Sequence, residues 1–109
     1  MASSVQRLVT QVLDTSSGTY YVSPTGTWTQ ITKLLLVNTA GSSQTATISL
    51  VVGNSGGSFI TTDGQALLPS QSFNSPNEYG LVLNPGDAIA ALASAGASIT
   101  LFLCGLLLQ

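Results

Sequence analysis

From Thr45 to Val52 apolar and polar residues alternate, with Ala46, Ile48, Leu50 and Val52 on one side and Thr45, Thr47 and Ser49 on the other. A period of two is that of a strand buried on one face only. The stretch before it, Trp28 to Asn38, is rich in Thr, Ile, Leu and Val and runs into Asn38-Thr39-Ala40-Gly41-Ser42-Ser43. Two strands joined by a short Gly/Ser/Asn loop predict a hairpin. Shorter β-prone pieces follow: Ser58 to Thr62, bounded by Gly56-Gly57 and Asp63-Gly64, and Gln65 to Leu68, stopped by Pro69. After a polar loop, Ser70 to Asn77, comes the strand Glu78 to Leu83. Asn84-Pro85-Gly86-Asp87 predicts a type II turn, with Pro fixing φ and Gly taking the positive φ. Ala88 to Ala93 and Ile99 to Leu107 then form a final pair around the loop Ser94 to Ser98. Turn residues at intervals of about ten mark a sandwich or barrel.

At the start of the chain Val5, Leu8, Val9 and Val12 fall at helical spacing. Thr10 and the valines lower helix propensity, and Asp14 to Gly18 ends the segment abruptly, so it reads as a strand or an extended arm. The expected organisation is an arm or first strand over residues 1–14, able to reach a neighbour, followed by one sandwich domain over 15–109. The fold class is all-β, a single antiparallel β-sandwich of jelly-roll-like or Ig-like type.

Two runs break the alternation. Leu34 to Val37, and Leu101 to Leu108 apart from Gly105, are apolar on both faces. In a two-layer sandwich the second face of such a strand is either covered by loops or buried in a subunit contact. The candidate interface residues are therefore Val5, Leu8, Val9, Val12, Leu34, Leu36, Leu106 and Leu108.

Charge strengthens that reading. Hydrophobic residues make up 44% of the chain and charged ones 6%, against about 25% in an ordinary soluble domain. The charges are Arg7, Lys33, Asp14, Asp63, Glu78 and Asp87, net −2. No basic footprint exists, so nucleic acid is not an expected partner, and the hydrophobicity is too high for a disordered chain. The surface must consist largely of Ser, Thr, Asn, Gln and Gly, which suits a surface covered by neighbours. Ala88 to Leu108 carries no charge and is long enough to span a bilayer. It is broken by Ser94 to Ser98 and has no flanking Lys or Arg, so two strands are expected there and no membrane. Gln6, Arg7 and Gln11 interrupt any apolar core of a secretory signal in the first residues.

The chemistry is sparse. Histidine is absent, which removes the commonest general base and metal ligand. Cys104 has no histidine to activate it and no second cysteine to pair with. Asp63 and Asp87 adjoin glycines in turn positions, no carboxylate spacing matches a calcium loop, and Gly53 to Gly57 lacks the ending of a phosphate loop. No enzyme, cofactor or metal is expected. Tyr20, Tyr21 and Trp28 lie in a polar stretch, Ser16 to Thr29, and are the candidate glycan-binding aromatics. The competing role is structural, with Trp28 plugging one end of the sandwich and one tyrosine packed inward.

The stretch TQITKLLLVNTAGSSQTATISL, Thr29 to Leu50, followed by LVLNPGDAI, Leu81 to Ile89, resembles small β-sandwich virion proteins of tailed bacteriophages. There a strand ending in Val-Asn-Thr leads through a Ser/Gly loop to an alternating strand, and a later strand ends in a Leu-x-Pro/Ala-Gly-Asp turn. The likeness spans residues 28 to 107. It implies a non-enzymatic capsid decoration or cement protein, often trimeric, that binds itself and the major capsid protein or another virion protein. Neck, tail and fibre modules share such sandwiches. The implied location is the virion, assembled in the host cytoplasm.

Overall fold

The computed structural model describes residues 3–16, 18–53, 57–96 and 98–108, with side chains from Arg7 onward. Its strands are β1 (Ser3–Val12), β2 (Gly18–Val22), β3 (Trp28–Asn38), β4 (Gln44–Val51), β5 (Ser58–Leu67), β6 (Ser72–Asn74), β7 (Val82–Leu83), β8 (Ala88–Ala93) and β9 (Ile99–Leu108). They form two antiparallel sheets packed as a sandwich, a five-stranded one in the order β1-β9-β3-β6, with β7 also on β3, and a four-stranded one in the order β2-β8-β4-β5. The pairs are nested: β1 with β9, β2 with β8, β3 with β6 and β7, β4 with β5. Nested pairs divided between two sheets are the topology of a jelly roll, which settles the choice against an Ig-like order.

That topology corrects the predicted hairpins. β3 and β4 do not pair; the loop at 39–43 carries the chain from one sheet to the other. The same holds for β7 to β8 and for β8 to β9, so Ala88 to Ala93 and Ile99 to Leu107 are strands of different sheets. Only β4 and β5, closed by the bond from Val52 N–H to the Gly57 carbonyl at 2.8 Å, are consecutive and paired across the two described arms of a hairpin. The turn at Asn84 to Asp87 has the expected geometry, with Gly86 at φ 92° and Asp87 N–H bonded to the Asn84 carbonyl at 2.9 Å. It serves as an arch rather than as a hairpin turn.

Strand boundaries also shift. Ser58 to Thr62 and Gln65 to Leu68 are one strand, β5, running through Asp63 and Gly64 as a bulge. Gly64 takes φ 59° there, and its N–H donates to Thr47 Oγ1 at 3.1 Å. A bulge places two residues opposite one, so the Asp-Gly pair bends a strand instead of ending it. Two strands lie in stretches that read as loops, β2 within 16–29 and β6 within 70–77, while of Glu78 to Leu83 only Val82 and Leu83 are strand. Of the alternatives for the start of the chain, the first strand holds, and not a helix or an arm: Ser3–Val12 pairs along its length with β9 of the same chain.

The core follows the alternation. Ile31, Leu34, Leu36, Ile99, Leu101 and Leu103 from the five-stranded sheet meet Ala46, Ile48, Leu67, Ile89, Ala91 and Ala93 from the other, all essentially inaccessible. The alanines on β8 and β4 let the two sheets approach. At one end of the sandwich the β4–β5 connection touches the β7–β8 turn so closely that a Cβ on Gly53 would lie 2.3 Å from the Gly86 carbonyl oxygen. Both contacting groups are backbone, so Gly53→Ala should cost about 1–3 kcal/mol of stability, the usual penalty of overpacking. A thermal or urea unfolding curve indistinguishable from wild type would contradict this contact.

Candidate assembly surface

The outward face of the five-stranded sheet carries exposed and half-buried apolar side chains along its length; Val22, Phe59 and Ile60 are exposed on the other sheet. Alternation about the buried β3 and β9 residues directs Trp28, Leu35 and Val37 of β3 and Phe102, Leu106 and Leu108 of β9 to the outside. Cross-strand register stacks them in rows: Trp28 opposite Leu108, Leu35 opposite Phe102, Val37 opposite Thr100 and then Val12. Such neighbours form one continuous surface across the sheet. Val82 adds to it from β7, opposite Gln30. The middle row is different. Cys104, half-buried, lies between Arg7 on β1 and Lys33 on β3, both exposed, so the two cationic side chains of the molecule flank the centre of this face.

The predicted interface residues divide. Leu106, Leu108 and Val12 are on this surface. Val9, Leu34 and Leu36 are not; they point inward and are core residues. Leu8 is the extra residue of a bulge between Arg7 and Val9, and its side chain packs toward the core over Gly105. The side chain of Val5 lies outside the described residues. The expectation lacks the outward residues Leu35 and Val37 because a second bulge, between Ile31 and Lys33, changes the phase of β3; it also lacks Phe102, which shares the outward phase of Leu106 and Leu108 on β9. A run apolar at every position hides its phase; only Lys33, the single charge in β3, marks the solvent side.

The three candidate aromatics do not form one platform. Trp28 is 46% exposed on the five-stranded sheet, whereas Tyr20 and Tyr21 belong to β2 of the other sheet. A bulge between Thr19 and Tyr21 suspends strict alternation, and both tyrosines pack against the core. Tyr20 Oη accepts the Asp14 N–H at 2.9 Å, and the Tyr21 hydroxyl bonds the Thr29 hydroxyl at 2.9 Å. Trp28 is not a plug inside the sandwich.

The carboxylates also separate by role. Asp87 is buried, taking the Gly53 N–H at 3.1 Å on Oδ1 and the Asn84 N–H at 3.0 Å on Oδ2, and thereby ties two loops together. Glu78 is completely buried without a cation beside it. Its Oε2 accepts from Thr62 at 2.7 Å and from Thr61, and its Oε1 accepts from Ser75. Thr61 and Thr62 are on β5, so this side chain joins the loop before β7 to the opposite sheet. Asp14 and Asp63 are exposed. Among the described residues no group of three or more metal-ligating side chains forms, and no helix is long and apolar enough to cross a membrane.

The molecule is thus a jelly-roll β-sandwich with apolar side chains on the outer face of its five-stranded sheet. No family model matches the chain, and no curated protein matches it. A solved structure described as "Bacillus endospore appendages form a novel family of disulfide-linked pili" is similar at a TM-score of 0.61 with 13% identity, covering 99% of this chain and 87% of that one. That likeness is one of fold.

Proposed function

We propose that this chain is a non-enzymatic structural subunit that associates with copies of itself through the outer face of the five-stranded sheet. The observation that carries the reading is the apolar surface formed by Trp28, Leu35, Val37, Phe102, Leu106 and Leu108 on a protein with only 6% charged residues. Contiguous apolar surface of this kind mostly marks contact sites in soluble proteins. The resemblance to phage virion proteins makes a capsid lattice the setting, with the subunit decorating the major capsid protein. A filament is the second setting, favoured by the fold likeness to a protein that forms pili across 99% of this chain. The single cysteine in this sequence limits disulfide linkage to pairs of copies, so a filament of it would be held by non-covalent contacts.

Light scattering behind a sizing column should give a mass above that of the 11.1 kDa chain. Phe102→Asp, which places a carboxylate in the middle of the surface and outside the core, should weaken self-association at least about tenfold, equal to about 1.4 kcal/mol. Circular dichroism is the control for folding. Co-sedimentation with undecorated capsids and negative-stain images of concentrated protein separate the two settings. A wild-type chain that stays monomeric at high concentration, alone and with capsids, overturns the proposal.

A further inference from the structure

We infer that the self-contact is heterologous, with the outer face of the five-stranded sheet seated on the four-stranded sheet of the next copy, so that subunits stack in one direction without closing. This rests on the structural-subunit reading above and adds the partner surface and its polarity.

The charges carry the argument. Arg7 and Lys33, the only cationic side chains in the sequence, sit on the outer face of the five-stranded sheet on either side of Cys104. Of the exposed carboxylates, Asp63 lies on the other sheet and Asp14 in the connection from β1 to β2 beside it. Asp63 is in the bulge of β5, its edge strand, and Asp14 is fixed at the opposite side by its carbonyl, which accepts the Ala93 N–H of β8 at 2.8 Å. Register runs from Ala93 to Ala46 to Gln65, so both carboxylates border the same level of that sheet. The remaining carboxylates, Glu78 and Asp87, are buried and engaged. The two positive charges therefore share the outer face of one sheet, while the two exposed carboxylates lie beside opposite edges of the other.

A two-fold contact between copies of the cationic face would bring four positive charges together with no carboxylate opposite any of them. Like charges across an interface are disfavoured, whereas opposite ones set register and partner. Apolar surface agrees with charge. The four-stranded sheet offers apolar side chains to receive Trp28, Leu35 and Phe102: Val22 of β2 and Ile60 of β5 are exposed, and Val51 of β4 and Leu92 of β8 are half-buried. Because the two surfaces are opposite faces of one sandwich, repeated contact extends a stack, which is the open form of a heterologous interface.

Charge reversal tests this with two double variants, Arg7→Glu/Lys33→Glu and Asp14→Lys/Asp63→Lys. All four positions are exposed, so both variants keep the core intact. Each alone should self-associate about tenfold or more weaker than wild type at low salt, the difference shrinking as salt screens the charges. Mixed in equal amounts they should recover wild-type assembly by light scattering, because every contact in an alternating stack again pairs opposite charges. If wild type assembles while the Asp14/Asp63 variant assembles equally well, or if mixing restores nothing, the heterologous contact is overturned and the subunit reading stands. If wild type does not assemble at all, both fall.

Discussion

Asn38→Ala is expected to lower the free energy of unfolding by about 3 kcal/mol, the scale of leaving buried backbone carbonyls without a donor. Asn38 is completely buried at the end of β3, where the chain leaves the five-stranded sheet. Its side-chain amide donates to the Ser42, Leu67 and Leu68 carbonyls at 3.0, 3.1 and 3.2 Å, and its Oδ1 accepts the Ala40 N–H at 2.9 Å. One side chain thus holds both the arch to β4 and the end of β5. The bond to the Leu67 carbonyl is buried, where loss of the donor is costliest, and a loss of this size is a large fraction of the roughly 5–15 kcal/mol by which a domain is stable. Asn38→Asp is the informative control, since it preserves shape and the acceptor but turns a carboxylate oxygen toward carbonyl oxygens. Urea unfolding should find the Asp variant at least as unstable as the Ala variant. Wild-type stability in Asn38→Asp would show that the amide donors contribute nothing.

The second large effect is expected at Glu78. Glu78→Ala should cost about 2–4 kcal/mol, because it removes the acceptor of three hydroxyls and leaves a void in their midst. A buried carboxylate with no cation is tolerable only when its lone pairs are filled, and here Thr61, Thr62 and Ser75 fill them. Glu78→Gln keeps the shape, and the hydroxyls can turn to accept from the new amide, so its cost should be about 1 kcal/mol. The consequence extends to the fold, since this contact ties the loop before β7 to β5 of the other sheet. Protease digestion should reach the segment around Tyr79, itself 70% exposed, faster in Glu78→Ala than in wild type. Equal stability of the Ala and Gln variants would refute the hydroxyl cradle as the source of the effect.

Neither residue announces its role in the sequence. Asn38 reads as a loop former, and Glu78 as the first residue of a strand. A polar side chain looks the same in sequence whether it meets water or buried carbonyls, and the partners of both lie far along the chain, at Leu67 and Leu68 for one and at Thr61 and Thr62 for the other. The assembly surface was half visible for a related reason. Apolarity on both faces of 34–37 and 101–108 marked strands whose outer face is not hydrophilic. Which members faced out depended on the bulges at Leu8 and Thr32, each of which inserts a residue and reverses the phase.

What the sequence by itself determined is the local state of the chain. Alternation in 45–52, β-branched and apolar runs in 28–38, 88–93 and 99–108, and Gly/Pro punctuation specify strands and turns, because side-chain direction in a strand is a property of neighbouring residues. The type II turn at Pro85-Gly86 is of the same kind. Pairing was decided only in the tertiary structure. A Gly/Ser/Asn loop closes a hairpin or arches between sheets with equal ease, and the main-chain groups that bond β3 to β9 rather than to β4 are identical at every residue. The nested order of the jelly roll comes from burying both sheets' apolar faces at once, a condition that no local window of sequence contains.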